Sequence, residues 1–235
     1  MKRFALSLFF FGFLGLLHAS ETGDVRWLHD FDQAKREAKK TSRCIFVDVF
    51  ADWCSWCKVL DKEVYATTEF ANFMKNYVPT KIDAEDNGDG ARFAARFEVE
   101  TLPTLIVTDS DGKLTLRITG FRKTGQLVKE IDTVQNLRAR ESSNPEDART
   151  SVDLAAEYVH HGMYNEAKIR LKKAGSSKEP QIVEDSLFLT AQMHAKMKSR
   201  DKAAKYFKEF LRKYPDSRNA PRAKEMLEEL SAKTS

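Results

Sequence analysis

Two cysteines separated by two residues, in the segment Cys54-Ser55-Trp56-Cys57, are the side chains of this sequence best suited to do chemistry. A thiolate attacks a disulfide sulfur, and a second thiol one helical turn away can displace it, so such a pair can pass two electrons to or from another disulfide. The pair follows the apolar run Cys44-Ile45-Phe46-Val47-Asp48-Val49-Phe50 and precedes a helical pattern, which puts Cys54 in the first turn of a helix. Unpaired backbone N–H groups and the positive end of the helix dipole favour thiolate there. They can bring a free-cysteine pKa of about 8.5 into the range of about 3.5 to 7.5. Cys54 is then the attacking thiol, and Cys57, on the same side one turn on, the resolving one. The same spacing also suits a structural disulfide that closes a turn. Zinc is the poorer fit, because it normally takes four ligands, no second Cys-x-x-Cys is present, and His160 and His161 are adjacent residues far along the chain.

The elements around the cysteines must hold them. Trp27, Leu28, Phe31, Ala34 and Ala38 recur at helical spacing as far as the polar Lys39-Lys40-Thr41. The run from Cys44 to Phe50, rich in β-branched and aromatic residues, predicts a buried central strand. A helix is expected from the cysteines to near Tyr65, then another with Phe70, Phe73, Met74 and Tyr77 on one face, then a strand over Val78 to Ile82. The acidic loop from Asp83 to Gly90 begins like a calcium loop, but Ala94 stands where the twelfth position needs a glutamate, so it reads as solvated. A helical stretch with Phe93, Ala94 and Phe97 follows. Leu105-Ile106-Val107 predicts a strand, Asp109-Ser110-Asp111-Gly112 a turn, and Thr115 to Thr119 its hairpin partner, before a closing helix with Leu127, Ile131 and Val134. This order implies an α/β fold, a central mixed sheet with helices on both faces. Cys44 reads as a small buried hydrophobe.

The stretch Val47-Asp48-Val49-Phe50-Ala51-Asp52-Trp53-Cys54-Ser55-Trp56-Cys57-Lys58 resembles the active-site segment of the thioredoxin superfamily, and Phe97-Glu98-Val99-Glu100-Thr101-Leu102-Pro103-Thr104 resembles its cis-proline loop. With Leu60-Asp61-Lys62-Glu63-Val64 after the motif, the chain is most similar to exported thioredoxin-like domains, including the C-terminal domain of periplasmic transmembrane thiol-disulfide reductases. The resemblance implies a thioredoxin-like fold and a thiol-disulfide oxidoreductase whose redox-active disulfide joins Cys54 and Cys57, with no cofactor and no metal. It implies protein disulfides as substrates and an upstream electron donor such as a membrane thiol-disulfide reductase. Asp48 is implied to lie beneath the cysteines, where desolvation would raise its pKa and let it accept and return the Cys57 proton. A cis peptide bond is implied between Leu102 and Pro103, with Trp53, Trp56, Leu102 and Pro103 binding substrate. Two features depart from thioredoxin itself. Ser55-Trp56 replaces Gly-Pro with no histidine before Cys57, which leans the reading toward a reductase, and the family's lysine near the buried aspartate has no equivalent, since Pro79 stands at about that place.

Met1-Lys2-Arg3, the apolar run Phe4 to Leu17 and the small-residue end His18-Ala19-Ser20 are the three parts of a secretory signal peptide, and the run is too short to span a bilayer. Export, to the bacterial periplasm, is expected with cleavage after Ala19. Without residues 1–19 the chain holds 37 basic and 35 acidic residues, a balance that leaves no electrostatic footprint for nucleic acid. The domain reading is a signal peptide over 1–19, a thioredoxin-like domain over 22–137, a polar linker over 138–150 and an all-α domain over 151–235. In the last, Leu154, Ala155, Tyr158, Gly162, Ala167, Leu171 and Ala174 set a pattern that largely returns about 36 residues later. That resembles two tetratricopeptide units, capped by a helix over Ala220 to Leu230. Such repeats imply a protein ligand, and a partner-binding adaptor without turnover is the alternative function. A chain ending near Asn144 is expected to fold by itself.

Overall fold

Ile45 to Val49 place large apolar side chains on both faces of one strand, so the strand is stable only between two covering layers. In the computed structural model, which describes residues 25–232, Cys44–Phe50 forms β1 and every side chain from Ile45 to Val49 is buried. The export signal read over 1–19 lies outside the described residues. β2 (Tyr77–Asp83) pairs parallel with β1, β3 (Thr104–Thr108) pairs antiparallel on its other side, and β4 (Leu114–Thr119) pairs antiparallel with β3, giving the order β2-β1-β3-β4. This is the mixed sheet expected. Ile45, Val47, Val49 and Ile106 face Ala34 and Ala38 of α1 (Phe31–Thr41) and Phe93 of α4 (Asp89–Arg96). Phe46, Leu105 and Val107 face the opposite layer. That layer holds α2 (Ser55–Leu60), its π-helical continuation Asp61–Tyr65, α3 (Thr68–Met74) and α5 (Thr124–Ser143).

Trp27 and Leu28 were expected inside the first helix and are not. The Asp30 side chain accepts the Gln33 N–H at 2.6 Å and caps α1 there, so the chain before it stays extended. Leu28 instead bridges to the edge of the sheet, its N–H to the Pro79 carbonyl at 3.0 Å and its carbonyl to the Lys81 N–H at 2.8 Å. Trp27 packs on the rings of Phe46, Tyr65 and Phe70. Tyr77 opens β2 rather than lining α3.

The stretch 138–150 also differs from its expected role as a linker. α5 runs on to Ser143 and α6 begins at Ala148, leaving only Asn144 to Asp147 outside a helix. Its polarity is that of helix faces that bond to one another: Arg138 donates to the Tyr158 hydroxyl at 3.1 Å, and Glu141 pairs with Arg170 at 2.7 Å. Beyond it lie α6 (Ala148–His160), α7 (Tyr164–Ala174), α8 (Pro180–Lys196), α9 (Arg200–Lys213) and α10 (Ala220–Ala232). Gly162 turns the chain between α6 and α7 at φ 71°, a conformation glycine adopts without a side-chain penalty. Among the described residues no helix is long and apolar enough to cross a membrane.

One apolar cluster runs through both halves. Leu116 and Ile118 of β4 and Leu127, Ile131 and Val134 of α5 belong to the same buried cluster as Leu154, Tyr158 and Met163 of the first helical hairpin. A second cluster, around Phe188, Phe207 and Phe210, belongs to the later helices alone. A short amphipathic hairpin cannot bury its stripe unaided, and here it does so against the outer strand and closing helix of the sheet domain. Residues up to Asn144 would therefore leave that apolar surface in water. Leu154→Ala should cost about 2–5 kcal/mol of stability. All three tryptophans, Trp27, Trp53 and Trp56, precede α5, so tryptophan fluorescence in urea reads the sheet half alone. Its midpoint is expected to fall together with that of far-UV circular dichroism. A fluorescence transition unmoved by the substitution would show that the halves stand independently.

Candidate active site

β1 ends at Phe50, and the chain turns through Ala51-Asp52-Trp53 before α2, which leaves Cys54 at the N-cap and Cys57 inside the first turn. Cys54 Sγ accepts the Cys57 N–H at 3.1 Å, so the sulfur occupies the place a capping oxygen usually takes. A thiolate formed at Cys54 would meet that same donor and the positive end of the helix. The two sulfurs are joined as a disulfide with Cα atoms 5.3 Å apart, and both cysteines are only 3% exposed. The tryptophans beside them are the opposite, 64% exposed at Trp53 and 58% at Trp56. Trp53 Nε1 donates to the Glu85 carboxylate at 2.6 Å, and the Trp56 ring lies 5.4 Å from that of Phe121.

The peptide bond between Leu102 and Pro103 is cis, Leu102 is half-buried and Pro103 buried. The Pro103 carbonyl accepts the Gly120 N–H at 2.8 Å. Gly120 precedes Phe121, so the end of β4 ties the proline loop to the Trp56 ring.

Asp48 is fully buried in β1, and neither carboxylate oxygen has a hydrogen-bond partner among the described residues. Its nearest cation is Lys81, directly opposite in the parallel register, with Nζ 3.5 Å from Oδ2. This corrects the expectation that no lysine accompanies the aspartate. Pro79 pairs with Phe46, and Lys81 sits four residues after Tyr77 as Asp48 sits four after Cys44. The Lys81 ammonium also pairs with the Asp61 carboxylate and lies 5.2, 5.5 and 5.2 Å from the ring centroids of Trp27, Phe50 and Tyr65. Burial pushes the Asp48 pKa up to about 6; Lys81 opposes the rise and Asp61 adds to it. The buried Tyr65 hydroxyl is held well above its ordinary range by burial and by the Asp48 charge. A carboxyl group poised this close to neutrality can take and return a proton.

Cys44 is half-buried, and burial raises its thiol pKa, which makes it a poorer nucleophile. Among the described residues no group of three or more His, Cys, Asp or Glu side chains is arranged to hold a metal ion.

Residues 31–135 match the thioredoxin-like domain family, and residues 185–217, spanning α8 and α9, match the tetratricopeptide repeat. The chain thus carries a thioredoxin-like domain followed by helices that include such a repeat. The first hairpin, α6 and α7, read from sequence as another unit, lies outside the matched range. Among curated relatives, the thiol:disulfide interchange protein DsbD of Campylobacter jejuni (strain RM1221) is 33% identical over 107 residues, 45% of this chain and 19% of that protein. The protein of that name from Pseudoalteromonas atlantica is 34% identical over 102 residues, 43% of this chain and 17% of its own length. The chain spans about a fifth of the length of these relatives. Among solved structures, a putative disulphide-isomerase from Bacteroides thetaiotaomicron is 29% identical with a TM-score of 0.42, covering 47% of this chain and 91% of that one. The DsbD C-terminal domain of Neisseria meningitidis in its oxidised form is 18% identical, with a TM-score of 0.39 and coverage of 46% and 97%.

A raised carboxyl pKa has a definite consequence for stability. The folded-state pKa of Asp48 lies above its unfolded value, so its contribution is fully present at low pH and is lost as pH rises through about 6. Relative to an Asp48→Asn variant, whose stability lacks this dependence, the oxidised wild-type protein should lose about 2 kcal/mol between pH 4 and pH 8. Urea midpoints of both proteins across that range measure the difference, and parallel profiles would mean that burial does not raise the Asp48 titration.

Proposed function

We propose that this chain is an exported thiol-disulfide oxidoreductase that reduces protein disulfides through the Cys54–Cys57 dithiol. The observation that carries the reading is the pairing of a nearly buried disulfide at a helix N-terminus with a fully buried carboxyl group on the strand leading into it. The name of the relatives, thiol:disulfide interchange proteins, supports it.

In the reduced protein, the Cys54 thiolate attacks one sulfur of a substrate disulfide. A mixed disulfide forms and the first substrate thiolate leaves, taking a proton from water. Cys57 then gives its proton to Asp48 and attacks Cys54 Sγ, which re-forms the Cys54–Cys57 disulfide and expels the second substrate thiolate. Two electrons pass to the substrate, and Asp48 releases its proton as that thiolate is protonated. An upstream dithiol, such as that of a membrane thiol-disulfide reductase, restores the starting state. Lys81 keeps Asp48 from rising further, so the group still ionises near neutral pH. The exposed Trp53 and Trp56 rings and the backbone of Leu102 and Pro103 receive the substrate chain around the sulfurs. Residues 22–137 supply this chemistry. The helices over 151–235 bind a protein partner, export to the periplasm follows cleavage after Ala19, and neither cofactor nor metal is needed.

Cys54→Ser should abolish reduction of a small protein disulfide such as insulin. Cys57→Ser should still attack and accumulate mixed disulfides that resolve only on adding dithiothreitol. Reduced wild-type protein that leaves insulin oxidised would refute the enzyme reading.

A further inference from the structure

The charge balance changes along the chain. Residues 148–232 hold 17 Lys and Arg against 12 Asp and Glu, whereas residues 25–147 hold 19 against 21. Exposed lysines stand at both ends of the helical hairpins, Lys172, Lys173 and Lys178 at the end near the start of α8. At that end Asp185 takes up two of the cations, Arg149 at 2.8 Å and Arg218 at 4.0 Å. At the other end, where α6 turns into α7 and α8 into α9, Lys168, Lys196, Lys198 and Lys202 are all exposed. None of the four forms an ion pair among the described residues.

Two half-buried imidazoles show how closely these cations gather. Burial lowers the pKa of His161 to about 4, with His160, Arg122 and Lys196 acting in the same direction. Glu130 opposes them, but its carboxylate is already held by Arg122 at 3.0 and 3.1 Å. Burial likewise lowers His194, and its charged neighbours are Lys202 and Lys168. Both histidines are therefore neutral at pH 7, and at this end the four lysines outnumber the acidic Glu166 and Asp201 of the first turns of α7 and α9. Ile169 and Met197, 70% and 43% exposed, stand among them.

This strip is continuous with the disulfide. Trp56 touches Phe121, Arg122 follows and acts on His161, and Met163 Sδ accepts the Arg117 N–H of β4 at 3.3 Å. We propose that the strip from Arg122 through His161 to Lys168, Lys196, Lys198 and Lys202 docks an acidic segment of the protein whose disulfide exchanges at Cys54 and Cys57. The proposal rests on the redox reading above and names the chemistry of the partner. Four unpaired lysines attract an acidic chain over roughly the 8 Å screening length of physiological salt and raise its encounter rate, while Ile169 and Met197 offer the small apolar contact a docked segment can cover. An anionic bilayer would be drawn to the same lysines, but two isolated apolar side chains bury little area in it, and it would carry no disulfide to the site.

The test uses the reduced mature chain and disulfide-linked peptide pairs. One set carries an Asp/Glu tract about 4, 8 or 12 residues from its cysteine, and the matched set carries Asn/Gln. At about 20 mM salt the best-spaced acidic peptide should show kcat/KM about tenfold above its neutral match, and the ratio should approach one by about 0.5 M. Lys168→Glu with Lys202→Glu, and Lys196→Glu with Lys198→Glu, should each remove most of that preference and leave the neutral peptide's rate unchanged. Equal rates on the two sets, with both reduced, would overturn the docking strip and leave the redox reading intact. Reduction of neither would overturn the redox reading instead. Lysine-dependent binding to vesicles with about 30% phosphatidylglycerol, without any peptide preference, would assign the strip to a membrane surface and overturn the proposal.

Discussion

A carboxyl group buried in the middle of an apolar sheet is the constraint on which the rest of this structure turns. Asp48 is favoured as an anion chiefly by Lys81, the cation that the parallel pairing of β1 and β2 sets opposite it, and less by the neighbouring Tyr65 hydroxyl. Lys81 in turn needs surroundings that hold an ammonium group without water. The rings of Trp27, Phe50 and Tyr65 supply them, and Asp61 anchors the exposed side. The extended segment around Trp27 and the π-helical stretch after the cysteines, which bears both Asp61 and Tyr65, are thus parts of one arrangement around a single charge pair. A buried pair of this kind adds little net stability, because desolvation offsets attraction, but it leaves a group whose proton affinity is set near neutral pH.

The helices after α5 are bound into the same architecture. Tyr158 illustrates the coupling: its ring lies in the cluster that includes Leu116 and Ile118, its hydroxyl accepts from Arg138 of α5, and Arg170 of α7 stacks over its face. The turn after α6 therefore sits in a fixed position relative to the end of β4 and the Trp56 ring. A fixed position lets a surface on the helices act on whatever reaches the sulfurs, whereas a flexible tether would contribute only effective concentration.

How much of this was legible in the sequence depends on whether the signal was local. The Cys54–Cys57 segment, the polar residue inside the Cys44–Phe50 run and the Leu102-Pro103 step each declare themselves within a few residues, and the structure has the cis bond and the disulfide where the motifs sit. Lys81 escaped because its meaning lies in strand register; counting along the chain pointed to Pro79, two residues early. Trp27 and Leu28 matched helical spacing over too few positions to exclude an extended chain, although Asp30 already carried the capping signal that ends that reading. The polar stretch 138–150 read as a linker because exposed helix faces and loops share a composition. The apolar stripe on α6 has the same spacing whether it packs on its own repeat or on β4, so the shared core could be seen only once the halves were in contact.

In the proposed function Cys54 and Cys57 form a reducing dithiol rather than an inert clasp or an oxidant. The reduction potential of the pair, measured by equilibration against glutathione or dithiothreitol at pH 7, tests that claim most directly. A value near that of thioredoxin, about −270 mV, and no higher than about −200 mV is predicted, because Trp56 offers no positive charge to stabilise the Cys54 thiolate beyond what the helix terminus provides. A potential near −120 mV would make the protein an oxidant, and a disulfide that exchanges with neither reagent would make it structural; either result contradicts the account.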